Sequence, residues 1–151
     1  MLLLALLIGI VAGLRAMTAP AAVAWAAQLG WISLDGTWLA FLGYRFTPWI
    51  FSLLALVELI TDQLPSTPSR KVPPQFAARV ILGALSGAAL GANGGALALG
   101  AILGVVGAVL GTYGGAWARG KLAAAFGSDR PAALIEDLVA IGGAFLIVSA
   151  A

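Results

Sequence analysis

Cysteine and histidine are both missing from this chain of 151 residues. Their absence removes disulfides, thiolate nucleophiles, thiolate or imidazole metal ligands and imidazole acid–base catalysis. No metal site and no cofactor is expected. Charge is almost as scarce, at 9% of the residues. A soluble domain carries roughly 25%, so a water-facing surface could not be covered. The net charge of +2 is too small to point to nucleic acid as a partner. The glycine-rich stretches lie in apolar runs and lack the lysine and hydroxyl residue of a P-loop, which argues against nucleotide hydrolysis.

What is present is apolar: hydrophobic residues make up 62% and the mean hydropathy is +1.05. A membrane-crossing helix takes roughly 20 apolar residues, so the chain has room for about five. The expected fold is an all-α polytopic membrane protein in the lipid bilayer. Residues 1–151 form a single transmembrane domain, with some helices broken by glycine or proline. Residues 1–13 lack the basic start of a signal peptide and read as a retained first helix.

The first apolar segment covers residues 2–29 and is interrupted at 15–20. Thr18 suits a helix cap and Pro20 an early helical position, so the segment reads as two half-helices. Trp31, Trp38, Tyr44 and Trp49 surround the next loop, as in an aromatic belt. A second helix starts at Thr47-Pro48, with Thr47 as its cap and Pro48 in the first turn, runs to Leu64 and ends at Pro65. Residues 65–74 form a proline-rich solvated loop. The third segment is 74–91, the fourth 95–125 and the last 131–149, separated by breaks at 92–95 and 127–131.

Arg70, Lys71 and Arg79 lie at one end of the bundle with Arg119, Lys121 and Arg130. Arg45 and Arg15 fall on the other side. The positive-inside rule then places the N-terminus in the cytoplasm and the C-terminus outside. In this arrangement the first and fourth segments are antiparallel. The loose likeness of 13–30 to 111–127 raises an inverted repeat, an arrangement used by many transporters.

Gly83, Gly87, Gly91 and Gly95 recur every four residues, as do Gly100 and Gly104, then Gly107, Gly111 and Gly115. This glycine zipper predicts close helix packing. It serves an intramolecular hairpin, a homodimer interface or a glycine-lined pore.

Ionisable groups within membrane spans are costly and mark functional sites by default. Glu58 lies ten residues beyond Pro48, roughly 15 Å into its helix at 1.5 Å per residue. Asp62 follows one turn on. Arg79 and the pair Glu136-Asp137 lie about 8 Å into theirs by the same rise. All five are expected to meet in the cytoplasmic half of the bundle. They form either an ion-pair network that fixes helix register or a polar cavity in which Glu58 binds a proton or cation. Arg15 either binds an anion at the start of the second half-helix or snorkels to the outer headgroups.

Glu58-Leu59-Ile60-Thr61-Asp62-Gln63-Leu64-Pro65, Arg79 followed by Gly83-Ala84, and Glu136-Asp137 with Ala140 and Gly142 resemble a family of small bacterial integral membrane proteins. It is known as domain of unknown function 4126. Gly13-Leu14-Arg15-Ala16 is similar to its opening. The resemblance covers nearly the whole chain and implies a multi-pass protein of the bacterial inner membrane. Gln63 replaces an expected lysine and Val80 an expected proline, so a charge partner for Glu58 or Asp62 is expected to be lacking. Glu58, Thr61, Asp62, Leu64, Pro65 and Thr67 also resemble the Glu/Leu-Pro stretch of undecaprenyl pyrophosphate phosphatases. That likeness implies a polyprenyl or other lipid phosphate near Arg70 or Arg79. The histidine that follows the phosphatase motif is missing here.

Transport comes first among the functions: a small homodimeric transporter or channel moving a cation, a proton-coupled solute or another small polar substrate. Glu58, Asp62, Arg79, Glu136, Asp137 and Arg15 are its candidate binding residues. A lipid-phosphate enzyme or flippase is the alternative, although hydroxyl nucleophiles are limited to Ser66, Thr67 and Ser69. A structural or assembly protein is the third reading.

Overall fold

A computed structural model describes residues 2–32, 34, 38–61, 73–93, 95–127 and 129–150, and among them every regular element is helical. The elements are α1 (Leu2–Leu14), α2 (Thr18–Gln28), a 3-10 turn (Trp38–Gly43), α3 (Thr47–Thr61), α4 (Pro73–Asn93), α5 (Leu97–Phe126) and α6 (Asp129–Ser149). Three stretches are long and apolar enough to cross a membrane: Gln75–Ala92, Leu97–Phe126 and Pro131–Ser149. Leu2–Leu14 and Thr47–Glu58 are apolar but shorter. The chain therefore has the architecture of an all-α membrane protein.

Local sequence explains some of the helix ends. Prolines open α4, where the first N–H groups have no partner within the helix in any case. Gly127 ends α5 in the left-handed region at φ 70°, and its N–H returns to the Ala123 carbonyl. Thr47, expected as a cap, instead donates its hydroxyl to the Phe41 carbonyl at 2.7 Å, tying α3 to the 3-10 turn. Thr18, also expected as a cap, is the first residue of α2 and its hydroxyl makes no cap bond. The start of α2 is served from elsewhere in the chain.

Glycine sets the centre. α4 and α5 run antiparallel, with Gly87 facing Gly100 and Gly104, and Gly91 facing Gly100. A Cβ on Gly87 would lie 2.8 Å from the Gly104 Cα, closer than real carbons approach. α1 lies on the neighbouring side of α5 and runs in the same direction, Gly9 facing Gly104 and Gly13 facing Ala108 and Thr112. Backbones this close gain dispersion contacts that bulkier side chains would prevent. Gly83, Gly87 and Gly91 of α4 thus face Gly100 and Gly104 of α5 within a single chain, while Gly107 and Gly111 face α1.

The first apolar segment does break, after Leu14. Beyond the break the chain turns back. α1 runs against α6: Arg15 meets Asp137, and Gly143 faces Val11. α2 then runs with α6, from the level of Asp137 to Trp31, whose ring meets Phe145 edge-on at 6.0 Å. α3 returns antiparallel to α2. Trp25 Nε1 donates to Ser52 Oγ at 2.7 Å, and further along, Glu58 meets Ala16 and Met17.

Two expectations change as a result. The first segment is a hairpin of α1, about 20 Å long, and α2, about 16 Å, at 1.5 Å per residue, and neither half reaches across a hydrocarbon core of roughly 30 Å. The inverted repeat finds no support in the element order. α1 and α5 run in the same direction, and α5 continues unbroken for 30 residues where the first segment folds in two.

The outside of the bundle is apolar, as lipid contact requires. Leu138, Leu146 and Ile81 are among its most exposed side chains. Tyr44, Trp49 and Trp31 are exposed at one end. At the other, Lys121 Nζ sits 5.4 Å from the Trp117 ring centroid. Aromatic and basic groups at both ends match the two interfaces of a bilayer.

Candidate functional site at the break in the first helix

A broken helix leaves carbonyl oxygens open at one end and N–H groups at the other. In lipid neither can be left to water, so each must find a partner within the protein. Here the partners are charged side chains from α3, α4 and the break itself, and each has the sign that its helix end favours.

At the end of α1, Arg79 Nε from α4 donates to the Gly13 carbonyl at 3.1 Å. Its NH1 donates to Gln75 Oε1, also at 3.1 Å. Arg15 NH1 donates to the Leu14 carbonyl at 3.1 Å. Two guanidinium groups thus sit at the negative end of the α1 dipole.

At the start of α2, the carboxylate of Glu58 takes two of the open backbone N–H groups. Ala16 N–H donates to Oε2 and Met17 N–H to Oε1, each at 2.9 Å. A carboxylate gripping two amides at a helix N-terminus is an anion site already filled by the protein's own side chain. The cation partner expected to be lacking for Glu58 is not needed, because backbone N–H groups take its place.

Arg15 stands between these ends, fully buried. Its Nε donates to Asp137 Oδ1 at 2.6 Å and its NH1 to Glu136 Oε1 at 2.7 Å. NH2 also pairs with Asp137. Neighbours on α6, the two carboxylates hold one guanidinium from adjacent directions. Arg119 of α5 lies 3.7 Å from the same Glu136 oxygen. Three guanidinium groups and three carboxylates thus gather around the break, and the formal charges of its described residues balance.

Of the six candidate residues, Arg15, Glu58, Arg79, Glu136 and Asp137 converge here, and Asp62 lies outside the described residues. Two readings need correction. Arg15 does not snorkel to the outer headgroups: the chain turns back just after it and pairs it with α6. Arg119, grouped with loop residues on its sequence position, lies within α5 and reaches Glu136. The hydrogen-bonding backbone of Ala16 and Met17 has no signature in the sequence, since nothing in a charge count marks an N–H group. Gly13 stands out there only within the opening motif, not as a packing residue. It lies against α5, where an added Cβ would come within 2.5 Å of the Thr112 N. The side chain of Thr112 is itself fully buried.

Comparison with known proteins returns no match, whether to a protein-family model, a curated protein or a solved structure.

Proposed function

We propose that this is a small transport protein of the bacterial inner membrane and that the α1–α2 break is its substrate and coupling site. The observation that carries this reading is a helix interrupted among membrane-spanning helices, with an acid on one open end and arginines on the other. Half-helix ends of this kind form the ion and substrate sites of secondary transporters. An unbroken apolar helix would satisfy its own backbone and bury no charge. The break, and the ionisable groups it needs, therefore point to a function beyond holding the fold.

Glu58 is the moving part. As a carboxylate it closes the start of α2. On taking up a proton or a cation it loosens its hold on the Ala16 and Met17 amides. The same event disturbs the charge balance that holds Arg15 and Arg79 in place. The hairpin enters and leaves on one side of the membrane, and the end carrying Arg119 and Lys121 faces the cytoplasm by the positive-inside rule. The start of α1 then lies on the outer side, opposite to the placement expected for five crossings. A homodimer would use faces other than the glycine contacts of α4 and α5. Gly114 and Gly120 on α5 face open space.

Arg15, Glu58, Arg79, Glu136 and Asp137, the residues on which the resemblance to the small bacterial membrane family rests, meet at one point. A second reading, a structural or assembly protein, draws on the balance of the network, in which each described charge has a partner.

Uptake into proteoliposomes across a panel of cations and small polar solutes, under an imposed proton gradient, separates the two. Transport predicts flux in the wild type that falls at least tenfold in Glu58→Gln, with the variant still folded. Well-folded wild-type protein that moves nothing under any gradient would favour the structural reading.

A further inference from the structure

α3 and α5 start at the same end of the bundle, yet they present lipid with apolar faces of different height. On α5 the large exposed side chains run from Leu99 through Ile102, Val106 and Leu110 to Trp117. At 1.5 Å per residue that face is about 27 Å tall, close to the roughly 30 Å of a hydrocarbon core. Its far edge is marked by the Trp117 ring with Lys121 against it, a pairing suited to the headgroup level. On α3 the exposed face runs from Trp49 through Leu53 and Val57 to Ile60. By the same rise it is only about 17 Å tall. Thr61 ends the helix, and the sequence continues with Asp62 and Gln63. The apolar face of α3 therefore stops about 10 Å short of that of α5.

Polarity begins where the short face ends. Glu58 is half-buried at the base of α3, on the α2 amides. On the other side of the bundle, Thr112 marks the level of the break, because it faces Gly13. From there the apolar face of α5 continues about 8 Å further, to Trp117. The same break is thus inside the apolar slab on the α5 side and at its edge on the α3 side. A carboxylate turned toward hydrocarbon is costly. A bilayer that meets a short apolar face thins to match it. Thinning along α3 would bring hydrated headgroups to the level of Glu58 and remove that cost.

We propose that the bilayer is depressed along α3. The leaflet on the Arg119 and Lys121 side is drawn in there by about 10 Å, while the α5 side meets hydrocarbon of full thickness. The partner of the α3 face is the lipid itself, and the depression is the route by which water and ions reach the break. The proposal rests on the α1–α2 hairpin lying within the bilayer. It holds whether or not the break moves a solute.

The test is spin-label depth measurement on the full chain in phosphatidylcholine vesicles, with single cysteines in place of Leu53, Val57 or Leu110, all of them exposed. Collisions with oxygen, which concentrates in hydrocarbon, and with a water-soluble nickel chelate report how deep each label lies. Val57 precedes Glu58, and Leu110 lies just ahead of Thr112, so both labels share the level of the break. A flat bilayer would give them one depth. The depression predicts that the Val57→Cys label meets the nickel chelate and reads about 10 Å shallower than the Leu110→Cys label. Leu53→Cys, one turn further from the base, is expected to read as hydrocarbon, with α3 still embedded. Longer acyl chains are expected to widen the difference between Val57 and Leu110, and shorter ones to narrow it.

Equal depths at Val57 and Leu110 would overturn the proposal. So would a Val57→Cys label shielded from oxygen and nickel alike, which would put protein, a second copy included, against α3. Nickel access at Leu53 as well would place α3 outside the bilayer and overturn it too. Wild-type flux in the same lipid keeps this inference separate from transport. A depth difference without flux leaves the depression standing and counts against transport, while flux with equal depths does the reverse.

Discussion

Arg15→Met is expected to lower the stability of the protein by about 3–5 kcal/mol, the usual cost of removing one partner from a buried ion pair. The effect comes from what is left behind. Glu136 and Asp137 are 7% and 8% exposed and sit side by side on α6. Without the guanidinium, two carboxylates face each other in a space that excludes water, and the Leu14 carbonyl loses its donor. Arg119 does not take the place of Arg15, since its 3.7 Å approach to Glu136 is beyond hydrogen-bonding distance. Neutralising the acids as well, in Arg15→Met with Glu136→Gln and Asp137→Asn, is expected to restore most of the loss. Arg15→Lys is expected to restore little, since an ammonium lacks the planar fork that reaches both acids and the carbonyl at once. Thermal melts in detergent, read by loss of the monodisperse peak, provide the comparison. A single variant as stable as wild type would mean that the pairs contribute nothing to the fold.

Gly104→Leu is expected to have a larger effect still and to leave no folded protein. Gly104 is where α1, α4 and α5 touch. A Cβ on Gly9 would lie 2.8 Å from its Cα, and a Cβ on Gly104 would lie 2.9 Å from the Gly83 carbonyl carbon. Both neighbours are backbone, so no rotamer change relieves the clash. Overpacking that flexible side chains absorb costs about 1–3 kcal/mol, and here whole helices must separate instead. Gly114→Leu, where the added group meets open space, is expected to change stability by no more than about 0.5 kcal/mol. The yield of monodisperse protein after solubilisation distinguishes them. Equal yields would contradict the glycine contacts.

The α4–α5 contact is legible in the spacing of its glycines. The seam between α1 and α5 is not, although Gly9 and Gly13 are also four apart, because one pair in an alanine- and leucine-rich helix does not stand out. The break near Arg15 is legible from Thr18 and Pro20. The direction taken after it is not. Local sequence decides where a helix stops, while the angle of the next one is set by contacts made later in the chain: Ser52 and Glu58 of α3, and Phe145 of α6. The candidate charges stand out in the sequence as a group, but Arg15 falls on the wrong side when residues 2–29 are treated as one crossing. Once the chain turns back at Met17, Arg15 is the deepest point of a hairpin and its pairing with α6 follows.

The proposed transport site depends on that turn inside the bundle, and the absence of cysteine from the sequence makes it simple to test. Single cysteines ahead of Leu2, at Tyr44 and at Lys121 would be labelled with a membrane-impermeant maleimide from one face of sealed vesicles and then from the other. The hairpin predicts that the first two react from the same face and Lys121→Cys only from the opposite one. Reaction of the first site and Tyr44→Cys from opposite faces would make residues 2–29 a true crossing, and the site built on the break would fall with the hairpin.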